Sequence, residues 1–173
     1  MSLKGKKVAV LAEDMYQELE LWYPLLRMRE AGAEVLVVGT GSASTYTSKH
    51  GYPVTVNTTA NDVSAADFAA VIVPGGFAPD RLRRYPAVLK LVRDAYTQGK
   101  VVGAICHAGW VLVSAGILKG KKVTCVPAIK DDVINAGGIY LDQEVVVDGN
   151  LVTSRTPEDL PAFCRSIIEV MEG

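Results

Sequence analysis

Three cysteines and two histidines are all the soft-ligand chemistry in this 173-residue sequence. Cys106, Cys125 and Cys164 are odd in number and widely spaced, so they build no disulfide framework. No Cys-x-x-Cys occurs, and His50 and His107 lie far apart, so no metal-ligand cluster is visible. Charge of one sign is also missing. The 18 Lys and Arg against 19 Asp and Glu leave a net −1, which argues against nucleic acid as the main partner. No apolar run reaches membrane-spanning length, and the N-terminus lacks the apolar core of a secretory signal. The expected setting is reducing and cytoplasmic, with no membrane partner. Nucleotide signatures are absent too: no Gly-x-Gly-x-x-Gly follows the first predicted strand, and there is no Gly-x-x-x-x-Gly-Lys-[Ser/Thr]. The loop Ala12 to Glu18 is acidic and free of glycine, so it repels a phosphate instead of cradling one. No motif requires a cofactor or a metal.

What is present suits an ordinary globular fold. A hydrophobic fraction of 49% with 21% charged residues predicts one domain, residues 1–173, with a sizeable core. Met1-Ser2-Leu3 and Glu172-Gly173 are read as candidate expression scars. Apolar runs at Lys7 to Leu11, Glu34 to Val38, Ala69 to Val73, Val101 to Ile105 and Lys122 to Val126 read as strands. Helical spacing marks Glu18 to Ala31, Pro86 to Gln98, Ala108 to Gly116, Ile129 to Ala136 and Glu158 to Met171. Gly32, Gly99, Gly116 and Gly137-Gly138 serve as stops. Thr45 to Asn57 reads as a hairpin excursion. Asp148-Gly149-Asn150 marks a second hairpin between Glu144 to Asp148 and Leu151 to Ser154. Strands alternating with helices predict a mostly parallel sheet covered on both faces, with the site beyond the carboxyl ends of the strands.

Three segments fall at those ends: Glu13 to Glu20, Pro74 to Phe77, and Cys106-His107. Cys106 sits between a predicted strand and a predicted helix. A helix N-terminus and a neighbouring imidazole there are expected to favour the nucleophilic thiolate. Gly75 and Gly76 permit close backbone approach, so their N–H groups, with that of His107, are candidate oxyanion donors. Glu20 is the candidate buried carboxyl that donates a hydrogen bond to the sulfur, with Glu18 as the alternate. His107 needs an orienting partner. Asp80, from this chain or a second subunit, is one candidate, although Asp80 alone also reads as the N-cap of a helix over Arg81 to Tyr85. Cys125, in a predicted strand, and Cys164, in a predicted helix, read as structural. A receiver domain would use Glu13 and Asp14 as an acidic pocket. It also needs an Asp ending the third core strand, where Val73-Pro74-Gly75-Gly76 stands instead.

Together these segments resemble the ThiJ/PfpI superfamily, and most closely its PfpI-type intracellular protease and deglycase branch. The matching runs are Ala104-Ile105-Cys106-His107-Ala108-Gly109, Val73-Pro74-Gly75-Gly76, Glu20-Leu21-Trp22-Tyr23-Pro24, Lys49-His50-Gly51-Tyr52, Ile129 to Gly137, Val146 to Asn150 and Ser154-Arg155-Thr156-Pro157. The resemblance implies a flavodoxin-like three-layer α/β/α sandwich, with Cys106 as nucleophile, Glu20 against the thiol, and Gly76 and His107 as oxyanion donors. In that branch a Glu of a neighbouring subunit pairs with the histidine. Asp80 stands at its position here, one methylene shorter. The resemblance further implies a homo-oligomer, dimer or hexamer, with sites at subunit interfaces. The activities it implies are those of a cysteine hydrolase: a peptidase, or a deglycase or glyoxalase acting on methylglyoxal-type carbonyls. A stress-response protein whose Cys106 is oxidised instead of catalytic, or a chaperone, stays open beside them.

Overall fold

Short runs of Val, Ile, Leu and Ala form the strands, and in the computed structural model, which describes residues 2–173, most of these runs align in one sheet. The elements in chain order are β1 (Lys7–Ala12), α1 (Glu18–Glu30), β2 (Glu34–Gly39), β3 (Thr45–Thr47), β4 (Pro53–Thr55), β5 (Thr58–Thr59), β6 (Ala70–Val73), α2 (Ala78–Leu82), α3 (Pro86–Thr97), β7 (Val101–Ile105), α4 (Gly109–Ala115), β8 (Lys122–Val123), α5 (Lys130–Asn135), β9 (Ile139–Tyr140), β10 (Val145–Asp148), β11 (Leu151–Ser154) and α6 (Leu160–Glu172). The sheet has seven strands in the order β10-β11-β7-β6-β1-β2-β5. Every pairing is parallel except β10 with β11. Helices α1 and α6 pack on one face, and α2, α3, α4 and α5 form the layer on the other. This is the flavodoxin-like three-layer sandwich. The central strands β6 and β7 are buried at every residue, as two covered faces require. The predicted hairpin is β3 with β4, which leaves the sheet after β2 and returns before β5.

Two expectations change. The predicted strand Lys122 to Val126 stops at Val123, and its pair β8–β9 stands apart from the main sheet. Beyond it the backbone is diverted. The Thr124 N–H donates to Thr153 Oγ1 at 2.9 Å, and the Val126 N–H donates to the Cys106 carbonyl at 3.3 Å. Cys125 therefore lies outside any strand, although it is buried, as is Cys164. Asp80 is no N-cap either. It lies inside α2, whose cap position is Phe77, because Pro79 fits the first turn of a helix that starts earlier than expected. Leu3 is fully buried in the core and its N–H donates to the Ala31 carbonyl at 3.0 Å. Met1 lies outside the described residues. Among the described residues, no helix is long and apolar enough to cross a membrane.

Candidate active site

The site begins with a backbone that is bent against its preference. The β7 strand ends at Ile105, and Cys106 then takes φ 62°. For an L-residue that left-handed conformation costs on the order of 1–2 kcal/mol. A short 3-10 turn, Cys106–Ala108, follows and leads into α4. The turn lifts the Cys106 side chain out of the core, and Cys106 is the one of the three free thiols that is partly exposed.

Beside the elbow, β6 delivers Gly75-Gly76. A Cβ on Gly75 would lie 2.3 Å from Glu20 Oε2 and 2.7 Å from Cys106 Cβ. Gly76 has φ 79°, and a Cβ there would lie 2.5 Å from the Gln17 nitrogen. Only glycine fits either position. The approach is locked by two backbone bonds: Gln17 N–H donates to the Gly75 carbonyl at 3.2 Å, and Phe77 N–H donates to the Met15 carbonyl at 2.8 Å.

The carboxyl comes from the first turn of α1. Gln17 caps that helix by accepting the Glu20 N–H at 2.9 Å, which fixes the backbone that carries Glu20. The Glu20 side chain is fully buried. Its Oε2 accepts the Gly75 N–H at 2.8 Å. The Gly75 N–H is thus committed to the carboxyl and is not free for an oxyanion. The other oxygen, Oε1, finds no N–H or O–H donor, while the carboxyl engages the Cys106 thiol. Burial pushes Glu20 up to about 7, against the pull of the Gly75 N–H, the thiol and Lys49.

Burial also pushes the Cys106 thiol up, to about 12, and an ionised Glu20 adds to this; the N–H groups of His107 and Gly76, both aimed at the sulfur, act in the other direction. This corrects the expectation that the helix end and the imidazole dominate. His107 is itself lowered, first by desolvation and then by Lys49, so at neutral pH it is a neutral imidazole and contributes no positive charge to the sulfur. The carboxyl and thiol form one coupled pair that accepts a single negative charge and resists a second.

His107 Nδ1 lies 3.4 Å from Cys106 Sγ. Among the described residues, no carboxylate hydrogen-bonds the ring. Asp80 is half exposed and ion-pairs with Arg84 one turn away. Glu18, the alternate acid, is held elsewhere: Ser48 Oγ and the His50 N–H donate to it, and His50 Nδ1 lies 3.0 Å from both oxygens. Desolvation opposes its ionisation, but these bonds outweigh it and hold Glu18 down to about 2. Its carboxylate serves the hairpin, not the thiol.

The resulting cavity is small, about 140 Å³, lined by Gln17, Glu20, Lys49, Gly76, Phe77, Cys106, His107 and Pro157. Gln17, Lys49, Phe77 and Pro157 are the lining residues to which sequence reasoning assigned no role. Lys49 rides on the β3–β4 hairpin, its N–H donating to the Tyr16 carbonyl at 3.0 Å. A basic residue in an insertion at the carboxyl edge of the sheet was the available signal. Among the described residues no cluster suited to a metal is found.

Comparison with known proteins agrees with this geometry. Residues 6–170 match the DJ-1/PfpI family profile. The deglycase PfpI of Pyrococcus furiosus is 42% identical over 96% of this chain and 99% of its own length. General stress protein 18 of Bacillus subtilis is 39% identical over 97% of this chain and 99% of its own. A crystal structure of a two-domain protein from Anabaena variabilis, with DJ-1/ThiJ/PfpI-like and ferritin-like domains, superposes with a TM-score of 0.93 at 42% identity. It matches 95% of this chain, which spans about half, 47%, of that larger one. With an elbow cysteine, a double-glycine loop and a buried glutamate all in one cavity, this chain belongs to the DJ-1/PfpI family.

Proposed function

We propose that the protein is a cysteine-nucleophile hydrolase of the PfpI type, acting on small reactive carbonyls of the methylglyoxal kind and on their adducts. The carrying observation is Cys106 on a strained elbow, with the Gly76 and His107 N–H groups on its sulfur and a carboxyl near pKa 7 beside it. When the pair carries its one negative charge on sulfur, Glu20 holds the proton and donates it to the thiolate. The sulfur then adds to the aldehyde carbon, the C–S bond forming as the carbonyl electron pair moves to oxygen. The Gly76 and His107 donors stand beside that oxygen. For methylglyoxal, a proton leaves the former aldehyde carbon and another reaches the neighbouring carbonyl carbon, with His107 and Glu20 as the groups in reach. The first carbon is oxidised to a thioester and the second is reduced to an alcohol. Water hydrolyses the thioester to lactate and regenerates the thiol.

Two features favour carbonyls over peptides. The cavity of about 140 Å³ suits a small molecule, and peptide cleavage needs His107 to protonate a leaving amine, whereas among the described residues no carboxylate hydrogen-bonds it. The finer reading takes residues 1–173 as one cytoplasmic domain in a homo-oligomer, with Asp80 of a neighbouring subunit as the partner of His107. Exposed Leu19, Tyr23 and Leu26 on α1 support self-association. Their spacing makes one stripe, and Glu18 in the first turn with Arg27 and Arg29 in the last suits antiparallel pairing with a second copy.

A second reading, oxidant sensing by Cys106, rests on its being the one partly exposed thiol. Lactate formation from methylglyoxal separates the two. The expected result is many turnovers per protomer, abolished in Cys106→Ala. A thiol consumed once, with no turnover, overturns the enzymatic reading.

A further inference from the structure

The mechanism asks His107 to hold one orientation, yet among the described residues no carboxylate hydrogen-bonds it. What does touch the ring is Trp110, one helical turn on. The two ring centroids are 5.2 Å apart with planes tilted by 59°. Trp110 is itself fixed from two sides. Its Nε1–H donates to Asp132 Oδ2 on α5 at 2.9 Å. The Arg83 guanidinium, just past α2, stands 5.7 Å from the centroid of the Trp110 ring and is anchored by its own Nε–H, which donates to Ser114 Oγ on α4 at 2.9 Å. Groups from α5 and from the end of α2 therefore brace an indole carried by α4, and that indole meets the imidazole. Nδ1 of that imidazole is the nitrogen next to Sγ.

We propose that Trp110, braced by Asp132 and Arg83, is the residue of the same chain that positions the His107 imidazole against the Cys106 thiol. The indole restricts rotation of the ring, and the neighbouring sulfur selects the rotamer in which Nδ1 faces it. A carboxylate would also raise the basicity of the imidazole. An indole gives direction without that effect, and burial, with Lys49 on the cavity side second, favours the neutral ring. The proposal rests on His107 acting in the reaction, but the contact itself is measurable without turnover.

The test uses the full chain. Trp22→Phe leaves Trp110 as the only tryptophan and removes interference from His50, which borders the same groove as Trp22. Imidazolium quenches a touching indole. Emission of this protein is expected to fall on acidification, at a pH below the ordinary histidine range because burial lowers His107. Glu20 titrates in the same cavity at about 7, so the assignment to His107 rests on its replacement. The step should vanish in His107→Asn. A step that survives His107→Asn, or no step in the parent, overturns the contact. In kinetics, Trp110→Ala is expected to lower kcat at least about tenfold with KM nearly unchanged, because misplacement of a reacting group is costly. Trp110→Phe, which keeps a ring, should restore most of it. Unchanged kcat in Trp110→Ala overturns the positioning role. If the parent protein turns over no carbonyl at all, the emission titration alone decides the contact, and the function fails separately.

Discussion

Replacing Glu20 by Gln should stabilise the protein at high pH and leave it unchanged at low pH. In the unfolded chain Glu20 titrates at 4.5, while in the folded protein burial moves it to about 7. Below 4.5 both states hold the proton and no stability is at stake. Between 4.5 and about 7 the unfolded chain releases the proton while the folded one keeps it. Stability then falls with rising pH by about 1.4 kcal/mol for each tenfold change in proton activity. Above about 7 the whole cost is in place, about 3 kcal/mol. Glutamine keeps the shape, accepts the Gly75 N–H and carries no charge, so Glu20→Gln removes the cost without opening a cavity. Urea unfolding of both proteins at about pH 5, 6, 7 and 8, at fixed protomer concentration, measures it. The advantage of the variant should grow from about 1 kcal/mol to about 3 kcal/mol across that range. A difference that stays constant with pH refutes the reasoning, because Glu20 would then titrate as an ordinary carboxyl in the fold.

Two further outcomes follow from the same pair and from the elbow. With methylglyoxal, kcat/KM should rise with pH through a midpoint of about 7, where the Glu20–Cys106 pair takes on its negative charge, and Glu20→Gln should displace that midpoint; a profile centred at the same pH in both proteins would contradict it. At position 106, where φ is 62°, Cys106→Gly should be more stable than Cys106→Ala by about 1 kcal/mol, the reverse of the usual order at a helix start, with both inactive; thermal denaturation of the two variants decides this.

The parts of the fold that were legible in the sequence are those set by local rules. Gly32, Gly99 and Gly116, read as helix stops, adopt φ of 99°, 73° and 72°, conformations that other residues avoid. The apolar runs of β6 and β7 announced strands buried on both faces. What was not legible depends on which distant group wins a contest. Thr153 Oγ1 takes the Thr124 N–H and shortens β8. Arg84 pairs with Asp80, and Ser48 and His50 capture Glu18, so neither acid serves the thiol of its own chain. Lys49 enters the cavity because the hairpin folds back over α1, through its bond to Tyr16, a contact that no local pattern encodes.

The double glycine is best understood through the carboxyl that it admits. A Cβ at Gly75 would collide with both Glu20 Oε2 and Cys106 Cβ, so the glycine is what lets acid and thiol share one buried space. The Gly75 N–H then binds the carboxyl, while the Gly76 and His107 N–H groups bind the sulfur. One donor on the acid against two on the sulfur narrows the gap that burial opens between the carboxyl, at about 7, and the thiol, at about 12, because each N–H favours the charged form of the atom it faces. Lys49, at the mouth, favours a negative charge in the pair as a whole. Nucleophilicity here comes from the placement of three backbone N–H groups around a single charge, not from a thiol that ionises freely. The strain at Cys106 keeps the sulfur where two of those donors reach it.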